Sequence, residues 1–148
     1  GRPQKDAPMQ PTDMFFDYTL AALPDYLGFL GTMAALIAVF TAIYQAITPY
    51  REIRLIRAGN RAAAISLSGT IIGLAIALNT VAAGAVSILD MALWGAIACI
   101  SQLVVYLIVA RLLGDLSAGI EDDRIGYGIL LGGVSVATGL VNAGALTY

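Results

Sequence analysis

The chain contains no histidine and one cysteine, Cys99. The first absence excludes histidine-ligated haem or chlorophyll, histidine-based metal sites and histidine acid–base chemistry. The second excludes an intrachain disulfide. Cys99 stands inside an apolar run and reads as a small apolar residue of the interior. Charge is scarce as well: Asp, Glu, Lys and Arg make up 12% of the 148 residues, about half of the ~25% usual in a soluble domain. A net charge of −2 gives no footing for a nucleic-acid partner. No nucleophile–base pair, glycine-rich phosphate loop or metal-ligand spacing is present. The chain is therefore not expected to be an enzyme, and no catalytic residue, metal or cofactor is expected.

Apolar residues, in contrast, make up 59% of the chain, and its mean hydropathy is +0.82. A soluble fold of 15.4 kDa has too much surface for its volume to hide them. The stretch Ala62–Ala85, AAAISLSGTIIGLAIALNTVAAGA, carries no charge. Roughly 20 such residues cross a bilayer core of about 30 Å. Three further runs complete the expected spans, at 27–48, 62–85, 90–113 and 124–147. The predicted fold is an all-α integral membrane protein, with four transmembrane helices arranged as two tandem parallel helical-hairpin repeats, 27–85 and 90–147.

Residues 1–8, GRPQKDAP, do not begin with Met and read as a cloning remnant or a processed end, with Met9 the expected natural start. No cleavable signal pattern is visible. Residues 9–26 form a leader whose Phe15, Phe16, Tyr18 and Leu20 suit a short helix at the membrane surface, or a frayed entry to the first span. Pro49 should stop span one. The connector Pro49–Arg61 holds Arg51, Arg54, Arg57 and Arg61. Arginines beside two spans point to the cytoplasm, and they offer either a lipid headgroup anchor or a docking face for an acidic partner. The loop near Val86–Asp90 has no Lys or Arg, as an outer loop should, and Asp90 and Trp94 mark that interface. Both termini are then predicted periplasmic. Glu121, Asp122 and Asp123 precede span four, where acidic residues complement a helix N-terminus and Asp can cap it. Pairing with the arginine connector is the alternative use for them.

Sliding the chain by 64 positions aligns Ile65 with Ile129, Leu67 with Leu131, Gly69 with Gly133 and Ala75 with Gly139. The candidate helix-packing residues are Ser66, Gly69, Gly73, Ala77, Gly128, Gly132, Gly133, Ala137 and Gly139, small enough for two backbones to approach. Spans two and four should form the central pair. No ionisable residue is expected at depth in a span, which argues against a proton pump or a carboxylate-coupled transporter. The neutral amides Asn79, Gln102 and Asn142 remain as a candidate polar path. Their alternative role is to bind helices together.

Four linked segments carry a family resemblance. They are Ala58-Gly59-Asn60-Arg61-Ala62-Ala63-Ala64-Ile65; Gly69 with Gly73-Leu74-Ala75-Ile76; Asp90 with Trp94-Gly95 and Gln102; and Gly139-Leu140-Val141-Asn142-Ala143. Together they resemble domain-of-unknown-function family 350, the YjfL-type small bacterial inner-membrane proteins, over roughly residues 25–148. The resemblance implies a bacterial inner membrane and four spans as two repeats. It also suggests genomic company with polyamine-related enzymes and phage-shock-type peripheral membrane proteins. It implies no activity.

The function expected is that of a non-enzymatic inner-membrane subunit, an anchor or scaffold within a homo-oligomer or larger membrane complex. The rival is an oligomeric channel or transporter for a small solute or ion. The lipid bilayer is the one certain partner expected, and no nucleic acid.

Overall fold

Pro11 has no N–H to leave unpaired and a φ already suited to a helix, and it opens α1, Pro11–Ile47. The computed structural model describes residues 10–147, so the expected remnant at 1–8 and Met9 lie outside the described residues. α1 is unbroken for 37 residues, roughly 55 Å at 1.5 Å per residue. The leader and the first span are thus one helix, with Pro24 inside it. Residues 11–26 are exposed along their length. α1 ends where Thr48 turns back on Tyr44: its N–H and its Oγ1 both donate to the Tyr44 carbonyl, at 2.9 and 3.0 Å. Pro49 follows and cannot extend the ladder.

Five further helices complete the order: α2 (Glu52–Arg57), α3 (Arg61–Gly84), α4 (Ile88–Leu113), α5 (Leu116–Glu121) and α6 (Ile125–Ala145). α1, α3, α4 and α6 are each long and apolar enough to cross a membrane. The protein is an all-α, four-span membrane bundle. α2 begins at Glu52 and α5 at Leu116, α3 at Arg61 and α6 at Ile125, an offset of 64 in both cases.

α3 and α6 share the largest interface in the molecule. Their backbones touch, because glycines face each other along the seam. A Cβ at Gly128 would strike Ala62, one at Gly69 would strike Gly132, and one at Gly139 would strike Gly73. These pairs advance together along both helices, so α3 and α6 run in the same direction. Likewise Gly28 meets Ile88 and Gly95 meets Leu36, so α1 and α4 run parallel to each other. Ser66 and Ala77 are buried on the packed face of α3. Gly133 and Ala137 are not on the seam, contrary to expectation; both are exposed, and a Cβ at Gly133 would meet nothing. The seam of α6 is Gly128, Gly132, Ser135 and Gly139, and one further residue turns the helix by about 100°.

The two connectors are clasped at one end of the bundle. Asn60 caps α3 by accepting from the Ala63 N–H at 2.8 Å, and its Nδ2 donates to the Ile120 carbonyl at 2.6 Å. Asp123 was expected to favour the start of span four or to pair with the arginine connector; the pairing with Arg61 is found, and the start of span four is not what it serves. It caps α3 instead: Oδ1 accepts from the N–H groups of Arg61 and Ala62 at 2.7 and 2.8 Å, and Oδ2 pairs with Arg61 Nε at 3.0 Å. The cause is backbone conformation. Asp123 sits at φ 55° in the left-handed region, which turns its side chain away from its own helix; the position 64 residues earlier is Gly59 at φ 91°. At the opposite end Ser87 caps α4, and Asp90 reaches back to the Val86 N–H at 3.2 Å.

The seam predicts a contrast within one residue type. Gly73→Leu or Gly139→Leu drives a side chain into backbone and should lower stability by about 1–3 kcal/mol or more. Gly133→Leu should change it by no more than about 0.5 kcal/mol. Thermal unfolding of the three variants in mild detergent checks the ranking.

Candidate functional site

At helical spacing Glu52, Leu55 and Ile56 share one face of α2, and Arg51, Arg54 and Arg57 share the other. α2 packs the first face against α3, while the three arginines stay exposed. Glu52 is carried inside with the apolar residues and is 0% exposed. Its partners are all neutral donors. Tyr44 Oη and Ser66 Oγ donate to Oε1 at 3.3 and 3.1 Å, and Gln45 Nε2 donates to Oε2 at 3.2 Å. Among the described residues no cation pairs with it: Arg61 goes to Asp123, and Arg124 lies 3.7 Å from Asp122.

Aromatic rings close over the acid. Tyr44 meets Tyr106 edge-on with centroids 4.9 Å apart, and Phe40 stacks on Tyr44 at 5.9 Å. Tyr50 is buried beside them, and its hydroxyl has no hydrogen-bond partner. Burial therefore dominates the acidity of Glu52. It pushes the carboxyl up from an ordinary 4.5 to about 7, although the bonds from Ser66 and Tyr44 pull it down.

Polar groups continue from Glu52 into the bundle. Thr70 Oγ1 donates to the Ser66 carbonyl at 2.9 Å and lies 3.2 Å from Ser135 Oγ on α6. Gln102 of α4 donates through Nε2 to the Ser135 carbonyl at 3.0 Å. Ser66, Thr70, Gln102 and Ser135 are all buried. Thr70 lies nine residues beyond Arg61, so the line reaches roughly 14 Å along α3. Two buried atoms at and beyond its end, Gln102 Oε1 and Asn142 Nδ2, have no partner. Hydroxyls off this line are satisfied within their own helices: Ser101 donates to Ile97 and Thr138 to Val134, at 2.9 and 2.8 Å.

The expected polar path is divided by this arrangement. Gln102 stands on the buried line, and Asn142 is half-buried two turns further along α6. Asn79 is exposed. It follows Ala77 of the packed face by two residues, about 200° around the helix, so it shares their depth without sharing their face. Glu52 was missed altogether. A signal was available: an acid at the head of an i, i+3, i+4 apolar stripe, in opposite phase to the arginines, inside a segment read for its positive charge.

An apolar four-span bundle with a buried acid at one end and a polar line leading inward from it defines a small multi-pass membrane protein. The chain belongs to the family described as Domain of Unknown Function (DUF350), whose model matches residues 18–146. It is 38% identical over 120 residues to the UPF0719 inner membrane protein YjfL of Escherichia coli (strain K12). The match covers 81% of this chain and 89% of that protein. The protein of the same description from Escherichia coli O157:H7 matches with the same figures. No solved structure matches the chain. The protein is accordingly a multi-pass inner-membrane protein, as its four apolar helices require.

Glu52 predicts a pH dependence of defined sign. Its folded value lies above its ordinary one, so the folded state holds the extra proton between the two. The Glu52 contribution to stability should be complete below about pH 4.5, fall as pH rises to about 7 and be absent above it. Glu52→Gln should abolish this slope. Asp123 works in the other window, since the Ala62 N–H and Arg61 hold its carboxyl below the ordinary 3.8 and its contribution is lost only on acidification. Unfolding curves of wild type and Glu52→Gln across this range measure the difference.

Proposed function

We propose that the chain is a non-enzymatic subunit that moves a small cation, in the simplest case the proton, across the membrane, with Glu52 as the binding carboxylate. One observation carries the reading: the line of buried polar groups from Glu52 through Ser66, Thr70 and Ser135 to Gln102. Glu52 lies on a connector at the end of the bundle, outside the four spans; an acid buried there without a cation is costly, which supports a functional role as the group that passes a proton to the line. Beyond Gln102 the backbones of Gly73 and Gly139 are in contact, so translocation would need α3 and α6 to part there.

The remaining features suit this role. The arginine-bearing end belongs in the cytoplasm and both termini in the periplasm. The 64-residue offset between paired helices and their parallel directions support two tandem hairpin repeats. In α1 only 6% of the most apolar window is buried, a face for lipid or for a second copy in a homo-oligomer. A second reading, an anchor or scaffold within a larger membrane complex, is favoured by the exposed Arg51, Arg54 and Arg57.

Reconstitution into liposomes loaded with a pH-sensitive dye separates the two. Under an imposed potential the wild type should dissipate a proton gradient, and Glu52→Gln should fall to the protein-free leak. Reversal of Arg54 and Arg57 to Glu should leave flux intact. A silent wild type, together with loss of a co-purifying protein on that arginine reversal, replaces translocation by the scaffold reading.

A further inference from the structure

The elbow between α1 and α2 holds a groove of about 680 Å³, lined by Gln45, Thr48, Arg51, Ile53, Arg54 and Arg57 among others. Three guanidinium groups thus converge on one concavity. Among the described residues none of the three has an acidic partner, because the acids at this end are engaged elsewhere or turned away. Glu52 is turned inward onto Tyr44, Gln45 and Ser66. Asp123 holds Arg61, and Asp122 lies beside Arg124. Unpaired arginines gathered in a groove are available to an anion, and a guanidinium fork matches phosphate oxygens in pairs.

The position of the groove selects the kind of anion. It opens at the last turn of a membrane-spanning helix, the level of the headgroups. Its lining includes the apolar Ala46 and Ile53, and above it on the same face of α1 Ala38 and Ala42 are exposed. A cationic pocket with an apolar wall running into the bilayer has the two chemistries of a phospholipid, in register. A free phosphate would use only the first, and an acidic protein surface would leave Ile53 and the exposed alanine face of α1 uncovered.

We propose that this groove is a binding site for the phosphate headgroup of an anionic phospholipid, whose acyl chains lie along the exposed face of α1. The site is independent of the translocation reading, although the two share a side chain: Gln45 lines the groove and donates to Glu52.

Native mass spectrometry of the full chain, released from micelles holding equal amounts of phosphatidylglycerol and phosphatidylcholine, tests the proposal. Phosphatidylglycerol should be retained in preference. Arg54→Gln and Arg57→Gln should each weaken its retention about five-fold. Arg111→Gln removes a charge near the end of α4 but outside the groove, and should leave retention unchanged. All three arginines are exposed, and matching melting temperatures confirm that the variants are folded. Equal loss in Arg111→Gln would show diffuse attraction and overturn the site. Displacement of phosphatidylglycerol by millimolar inorganic phosphate would assign the groove to a soluble anion instead. Retention of an acidic protein in place of lipid would return it to the scaffold reading.

Discussion

A side chain at Gly73 would strike the Ser135 carbonyl, and one at Gly139 would strike Gly73 itself. Backbone-to-backbone contact between α3 and α6 is the constraint on which the rest of the structure depends. In a bilayer the hydrophobic effect does not press helices together, and association rests on close packing and interhelical hydrogen bonds. The glycine seam supplies the first and, through the approach it allows, the second. Only at that separation can Thr70 on α3 reach Ser135 on α6, and Gln102 on α4 reach the Ser135 carbonyl. The clasp of Asn60 and Asp123 on the opposite connector belongs to the same contact, holding the first turns of the two helices level.

Glu52 follows from that packing rather than from the connector's charge. α2 has two faces, and its apolar face must be buried against α3. The carboxyl is carried in with it and meets two hydroxyls and an amide in place of a cation. A carboxylate paired with Arg would be locked in its charged form. One held by neutral donors in a low-dielectric setting can change protonation near neutral pH. The arginines on the opposite face stay free to meet anions from the membrane. One six-residue helix therefore presents an acid to the bundle and cations to the outside.

Sequence made the four spans legible because each is long, apolar and almost free of charge. α3 and α6 were identifiable as the central pair because their small residues recur at helical spacing. Individual residues were harder. The 64-residue alignment matched depth, and so grouped Gly133 and Ala137 with the seam and Asn79 with the polar path; depth does not determine which side of the helix a residue takes. Asp123 reads locally as a cap for the helix that follows it, and only the bonds it accepts from the Arg61 and Ala62 N–H groups, across 62 and 61 residues, show that it caps α3. Residues 9–26 read as a leader apart from the first span, yet α1 runs from Pro11 into that span without a break, Pro24 included. Glu52 was hidden by its neighbours, since a segment counted for its arginines conceals an acid on the other face.

Everything proposed for the bundle rests on Glu52 exchanging a proton inside a closed, neutral shell. Infrared difference spectroscopy of the reconstituted protein tests it most directly. The account predicts a protonated-carboxyl stretch that is absent from Glu52→Gln, and that disappears in the wild type as pH is raised through about 7. A wild type with no such band at pH 5, where an ordinary glutamate near 4.5 is already largely ionised, would show Glu52 to be a permanent carboxylate and would contradict the account.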